Sequence, residues 1–168
     1  MSWGPRFVAG GVRFALWAPD AFAVAVEIDG GDGGAMTAEG DGWFAVVLPV
    51  GAGARYRFRI DDGPVVPDPA SRRQDGGVHG WSVVVDPAHD WRARDWTGRP
   101  WHETVLIELH VGVLGGFAGV AERLPELAAA GITAIELMPV GAFSGNRGWG
   151  YDGVLPYAVH EAYGTPES

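Results

Sequence analysis

The chain has 168 residues, 47% of them apolar, with 8 Trp, 7 Phe and 4 Tyr, which is enough material to pack one or two small cores. The formal net charge is −9 and every one of the 12 basic residues is arginine, so no basic stripe is available for a nucleic-acid partner. There is no cysteine, which excludes disulfides, thiolate catalysis and zinc–cysteine sites and fits a reducing cytoplasm.

Met1-Ser2-Trp3-Gly4-Pro5-Arg6 has no long apolar core ahead of a cleavage site, and no run of about 18 apolar residues occurs anywhere. The chain reads as cytoplasmic, neither exported nor membrane-bound. From Phe7 to about Val85 the apolar pattern has period two or falls in short runs: Val12 to Trp17, Ala23 to Ile28, Trp43 to Leu48, Tyr56 to Ile60 and Trp81 to Val85. Turn-forming residues punctuate these runs, as in Ala18-Pro19-Asp20 and Asp61-Asp62-Gly63-Pro64. Strands of this length and spacing make an all-β sandwich. The alternation of Tyr56-Arg57-Phe58-Arg59-Ile60 turns the two arginines outward, to a solvated face or to a glycan or domain contact.

Residues 65–80 are polar and Pro-containing without a period and read as an ordered loop. A linker follows, in which Trp91, Trp96 and Trp101 stand among Pro, Arg and Asp. Because an exposed indole is costly, these rings are expected to pack between two domains. The organisation is therefore multidomain, with residues 1–90 as sandwich, 91–103 as linker and 104–168 as a second unit.

In that second unit the period changes. Thr104 to Leu109 reads as a buried strand, and Phe117 to Ala130 as a helix with apolar residues at 117, 120, 124 and 127. Pro125 should kink the helix or begin its second half, and Gly131 supplies a stop. Ile132 to Leu137 is a second strand, which completes a right-handed, parallel βαβ unit.

Past the carboxyl end of this strand lies Trp149-Gly150-Tyr151-Asp152-Gly153-Val154. Ligand sites of α/β proteins gather at such ends, and aromatic faces stack on sugar C–H surfaces while a carboxylate takes the hydroxyls. Trp149, Tyr151 and Asp152 are the candidate substrate-binding residues; the alternative is that Trp149 and Tyr151 cap a loop core. Glu122 and Glu126 lie one helical turn apart and fit a solvated face. Glu108 and Glu136 occupy equivalent positions on the two strands, suited to buried structural hydrogen bonding or to paired-carboxylate catalysis. His110 either anchors the first strand or acts as a ligand or acid/base. The five histidines have no metal-ligand spacing, and neither a dinucleotide fingerprint nor a phosphate loop is present, so no metal and no cofactor is expected.

Taken in order, these motifs resemble a known family. Phe14-Ala15-Leu16-Trp17-Ala18-Pro19, Tyr56-Arg57-Phe58 and Pro67-Asp68-Pro69-Ala70-Ser71 resemble the immunoglobulin-like family 48 carbohydrate-binding module that opens many α-amylase-superfamily enzymes, members of glycoside hydrolase family 13. Ile107-Glu108-Leu109-His110-Val111-Gly112 resembles their first barrel strand and Glu136-Leu137-Met138-Pro139-Val140 their second. The stretch from Trp149 to Pro156 resembles the members that hydrolyse the α-1,4 bond beside a terminal trehalose, since branching enzymes usually carry Gln where Asp152 stands.

The resemblance covers nearly the whole chain and implies the first βαβ portion of a (β/α)8 TIM barrel. Such a barrel needs about 250 residues. The family's nucleophile Asp, acid/base Glu and stabilising Asp follow its fourth, fifth and seventh strands, so no catalytic residue is expected in this chain. It implies further that Tyr151 stacks on the glucose ring next to the cleavage point, that Asp152 holds hydroxyls or neighbouring loops, and that the partner is a maltooligosaccharide or α-glucan. Between Gly112 and Phe117 the first strand–helix loop is shorter than the family's. A branching-enzyme fragment and a non-catalytic α-glucan-binding module are the rival readings.

Overall fold

The computed structural model describes residues 3–168; Met1 and Ser2, the start of the stretch read above as lacking a leader, lie outside the described residues. Among the described residues ten strands fill the first half: β1 (Arg6–Val8), β2 (Gly11–Trp17), β3 (Val24–Ile28), β4 (Gly34–Ala35), β5 (Thr37–Gly40), β6 (Trp43–Leu48), β7 (Arg55–Ile60), β8 (Val65–Val66), β9 (Gln74–Asp75) and β10 (Trp81–Val83). They form two antiparallel sheets, one ordered β1-β2-β6-β5, the other β4-β3-β7-β10-β9 with β8 added to β7.

The period-two pattern turns one face of each sheet inward. Val12, Phe14 and Leu16 of β2 and Phe44 and Leu48 of β6 meet Val24 and Val26 of β3 and Tyr56 and Phe58 of β7 in one buried cluster. The four longest strands, β2, β3, β6 and β7, together with the three-residue β10, therefore fall where the apolar runs place them. The short strands β1, β4, β5, β8 and β9 carry too little pattern to be read from sequence, and the loop expected at 65–80 includes two of them.

One buried polar network crosses this core. Tyr56 Oη donates to Asp68 Oδ2 at 2.7 Å, Asp68 Oδ1 accepts from the Ala70 amide at 2.7 Å, and Ser82 Oγ accepts from the Asp68 amide at 2.9 Å. These bonds tie the Pro67 to Ser71 segment to β7 and β10. Burial, the largest effect, pushes the Asp68 carboxyl above its ordinary value against the Tyr56 hydrogen bond, and burial likewise raises the Tyr56 phenol.

The arginines of β7 do point outward, but into partners. Arg57 lies 4.3 Å from the Trp81 ring centroid and donates to the carbonyls of Gly80 and His79, while Arg59 pairs with Glu27 and Arg55 with Asp29 and Asp75.

The linker overturns one expectation. Trp91, Trp96 and Trp101 are 70%, 76% and 79% exposed, so their indoles are not packed between two units. Residues 86–100 make only local polar contacts, such as Arg94 to Asp90 and to the Trp91 carbonyl. The one ring contact in this segment is local as well, Trp91 edge-on to His89 with centroids 4.6 Å apart.

Beyond a short 3-10 turn at Trp101–Glu103, β11 (Leu106–Leu109), α1 (Gly116–Ala129) and β12 (Ala134–Leu137) form the expected parallel βαβ unit, with Leu106 paired to Ala134 and Leu109 to Leu137. The helix runs through Pro125 without a break. It ends as predicted at Gly131, where the Ile132 amide reaches back to the Leu127 carbonyl and the Gly131 amide to Ala128. Only Gly116 and Val120 of the helix are buried, and Val120 joins Val111, Phe143 and Tyr163 in a second apolar cluster. The strands β13 (Gly141–Ala142) and β14 (Leu155–Val159) form an antiparallel hairpin after β12. Among the described residues no helix is long and apolar enough to cross a membrane.

Candidate functional site

The carboxyl ends of β11 and β12 open into a cavity of about 720 Å3, lined by His110, Val113, Met138, Asn146, Arg147, Trp149 and Tyr163 among others. His110 directly follows β11. Its Nδ1 accepts from the Val113 amide at 3.1 Å, which leaves Nε2 to carry the proton and donate to the Gly148 carbonyl at 2.8 Å. The imidazole is thus a strut between the first strand end and the loop before Trp149. This fits the anchoring reading, with one ring edge lining the cavity.

The loop 143–154 between β13 and β14 carries the motif singled out from the sequence. Gly150 sits at φ +89°, and a Cβ there would lie 2.2 Å from the Pro139 carbonyl oxygen, so only glycine lets this turn rest on the backbone just past β12. Trp149, at 76% exposure, stands on the cavity rim. Tyr151 is 67% exposed and Asp152 is exposed, both on the same turn but outside the cavity lining. None of the three side chains caps a buried core. Asn146 and Arg147 also line the cavity and were not singled out by the sequence reading, which began the motif at Trp149; their signal was a polar pair in the same loop.

A buried aromatic stack supports this loop from beneath. Phe143 and His160 lie 3.6 Å apart between centroids and 15° from parallel, with Tyr163 edge-on to both. His160 Nδ1 takes a long 3.5 Å bond from the Phe143 amide, while its buried Nε2 has no hydrogen-bond partner among the described residues. Burial pushes the His160 pKa below its ordinary value, against the opposing pull of Glu161.

Glu108 and Glu136 are direct register partners across β11 and β12. Their adjacency matches the sequence reading, but the expectation of buried hydrogen bonding does not hold. Both are exposed, and neither makes a side-chain hydrogen bond among the described residues, because the face they share with Leu106 and Ala134 lies away from α1. Glu126 pairs with Arg123 at 2.9 Å on the solvated helix face. Among the described residues no group of three or more His, Asp or Glu side chains is arranged to hold a metal.

No protein-family model matches the chain. Comparison with solved structures gives a TM-score of 0.90 and 47% identity to a Salmonella typhimurium protein assigned to the alpha amylases, covering 99% of this chain and 29% of that one. A sandwich followed by a parallel βαβ unit with a cleft at its strand ends is thus the architecture of part of an α-amylase-family protein. Within that class the chain is a relative of the malto-oligosyltrehalose trehalohydrolases. It is 46% identical to the Deinococcus radiodurans protein of that name over 94% of its own length, and 40% identical to that of Saccharolobus solfataricus over 99%. A 1,4-alpha-glucan branching enzyme of Xanthomonas axonopodis is more distant, at 32% identity. The chain spans 26% and 30% of the length of the two trehalohydrolases.

Proposed function

We propose that this chain is the sandwich and first barrel portion of a cytoplasmic α-amylase-superfamily glycosidase that hydrolyses the α-1,4 bond beside the trehalose end of maltooligosyltrehalose, releasing trehalose. Residues 1–90 form the carbohydrate-binding-module-like, immunoglobulin-like sandwich, 91–103 the linker and 104–168 the opening βαβ of a TIM barrel. Tyr151 stacks on the sugar, Asp152 takes hydroxyls or orders the loop, and Trp149 extends the apolar rim.

The observation that carries this reading is the similarity to the trehalohydrolases along nearly the whole chain. The cleft supports it, because its half-open, aromatic-rimmed form at the ends of parallel strands suits a pyranose ring. The lower identity to the branching enzyme favours hydrolysis over transfer. The mechanism implied by the resemblance is retaining, with nucleophile and acid/base carboxylates supplied by strands beyond β12. Glu108 and Glu136 are not cast in those roles.

The test is a chimera in which this chain replaces the matching segment of the Deinococcus radiodurans enzyme. It should release trehalose from maltooligosyltrehalose, and Tyr151→Ala in the chimera should lower kcat/KM by about tenfold or more, the equivalent of one lost stacking contact. A folded chimera that transfers glucan chains instead of hydrolysing would contradict the assignment.

A further inference from the structure

We infer that Glu161 is a positioning residue: docked on the backbone amides of Gly76 and Gly77, its carboxylate clamps the β13–β14 hairpin to the sandwich and so sets where the Trp149–Asp152 turn stands. The turn's role in holding sugar rests on the function proposed above; the clamp itself does not.

The carboxylate is held at both oxygens. The Gly76 amide donates to Oε1 at 2.8 Å and the Gly77 amide to Oε2 at 2.7 Å, across 85 and 84 residues of sequence. The two glycines have φ of +86° and +77°, which aims successive N–H groups to one side as an anion-binding nest. Charge-assisted, two-point bonds of this kind are directional, so they fix an orientation as well as a distance.

The neighbouring residues act in the same direction. Val78, next to the nest, is buried in one cluster with Ala142, Leu155 and Ala158 of the hairpin. Arg72 lies 5.1 Å from the ring centroid of Tyr157 on β14. The segment 72–78 therefore offers a cation, an anion nest and an apolar plug to one hairpin, whereas the indoles of the linker stay exposed.

A short, stiff path runs from this contact to the site. Glu161 comes two residues after β14 ends at Val159, and β14 begins two residues after Gly153. Both ends of the hairpin are pinned, with the Val154 amide on the Ala142 carbonyl and the His160 amide on the Val140 carbonyl, each at 2.8 Å. A displacement at Glu161 is carried along five residues of strand into the turn.

The experiment is amide exchange and relaxation by NMR on the 168-residue chain, as wild type, Glu161→Gln and Glu161→Asp. In the wild type, Gly76 and Gly77 should be protected although they lie in an exposed loop. Glutamine keeps one acceptor and loses the charge, so exchange at these amides should rise about tenfold, motion of 149–153 should increase, and β2 and β6 should stay unchanged. Aspartate, a methylene short, should give an intermediate result. Unprotected glycine amides in the wild type, or freed amides with an unchanged 149–153 turn, would overturn the inference. Unfolding of both variants would also overturn it, because a local clamp leaves the sandwich intact. Maltotetraose added to the same samples separates the two ideas: a wild type that binds no sugar yet shows the coupled motion refutes the sugar site and keeps the clamp.

Discussion

Gly150 and Pro139 touch backbone to backbone: a Cβ on Gly150 would stand 2.2 Å from the Pro139 carbonyl oxygen. The turn bearing Trp149, Tyr151 and Asp152 is thereby seated on the chain just past β12, and its aromatic residues can be exposed without the turn being loose. Gly150→Ala combines this clash with an unfavourable φ of +89° and should cost about 2 kcal/mol or more. Thermal unfolding measures the loss, and an unchanged midpoint would contradict the seating.

Tyr56→Phe removes the hydroxyl that donates to Asp68 inside the sandwich. The expected loss at neutral pH is about 2 kcal/mol, because the carboxylate stays buried with one partner fewer. Burial raises the folded pKa of Asp68 above its ordinary value. Its stabilising contribution is therefore complete below the unfolded value and lost as pH rises through the folded one. Removing the hydroxyl, which opposes that rise, should cost less in acid than at neutral pH. Denaturant titrations at pH 7 and in acid would show this, and an equal cost at both would contradict it.

His160 carries the opposite sign. Its folded pKa lies below the ordinary 6.5, so its contribution is complete above the unfolded value and declines as pH falls below about 6.5 through the folded value. His160→Phe keeps the stack on Phe143 and should flatten the stability profile between pH 7 and pH 5. A variant with the wild-type slope would assign that slope to other groups.

Trp91→Ala and Trp96→Ala should each change stability by no more than about 0.5 kcal/mol, as expected of exposed side chains outside any packed core. A loss of about 2 kcal/mol from either would restore the interdomain packing that composition suggests.

The contrast between these tryptophans and Val78 shows what the sequence could carry. Periodicity identified the strands around Phe14, Phe44 and Tyr56, because each buries a face whose spacing is written locally, and it identified the helix ending at Gly131, although of its apolar stripe only Val120 is buried. It also put Glu108 opposite Glu136, since register in a short βαβ unit follows from matched lengths. It did not give their exposure, which depends on what covers the far face of the sheet. Nor did it find the Glu161 contact with Gly76 and Gly77, because a backbone nest leaves no side-chain signature and its partner is 85 residues away. The indoles drew attention by their chemistry, yet they stay exposed on an irregular backbone, Trp91 meeting only its neighbour His89.

We propose that the turn at 149–153 is a sugar-contacting surface whose chemistry is completed elsewhere. The most direct test is to titrate the isotope-labelled 168-residue chain with maltooligosyltrehalose and assay the same sample for trehalose. Shift changes centred on Trp149, Tyr151 and Asp152 are expected, lost in Tyr151→Ala, with no trehalose released. Shift changes absent from that turn, or trehalose release abolished by mutating an acid within the chain, would contradict it.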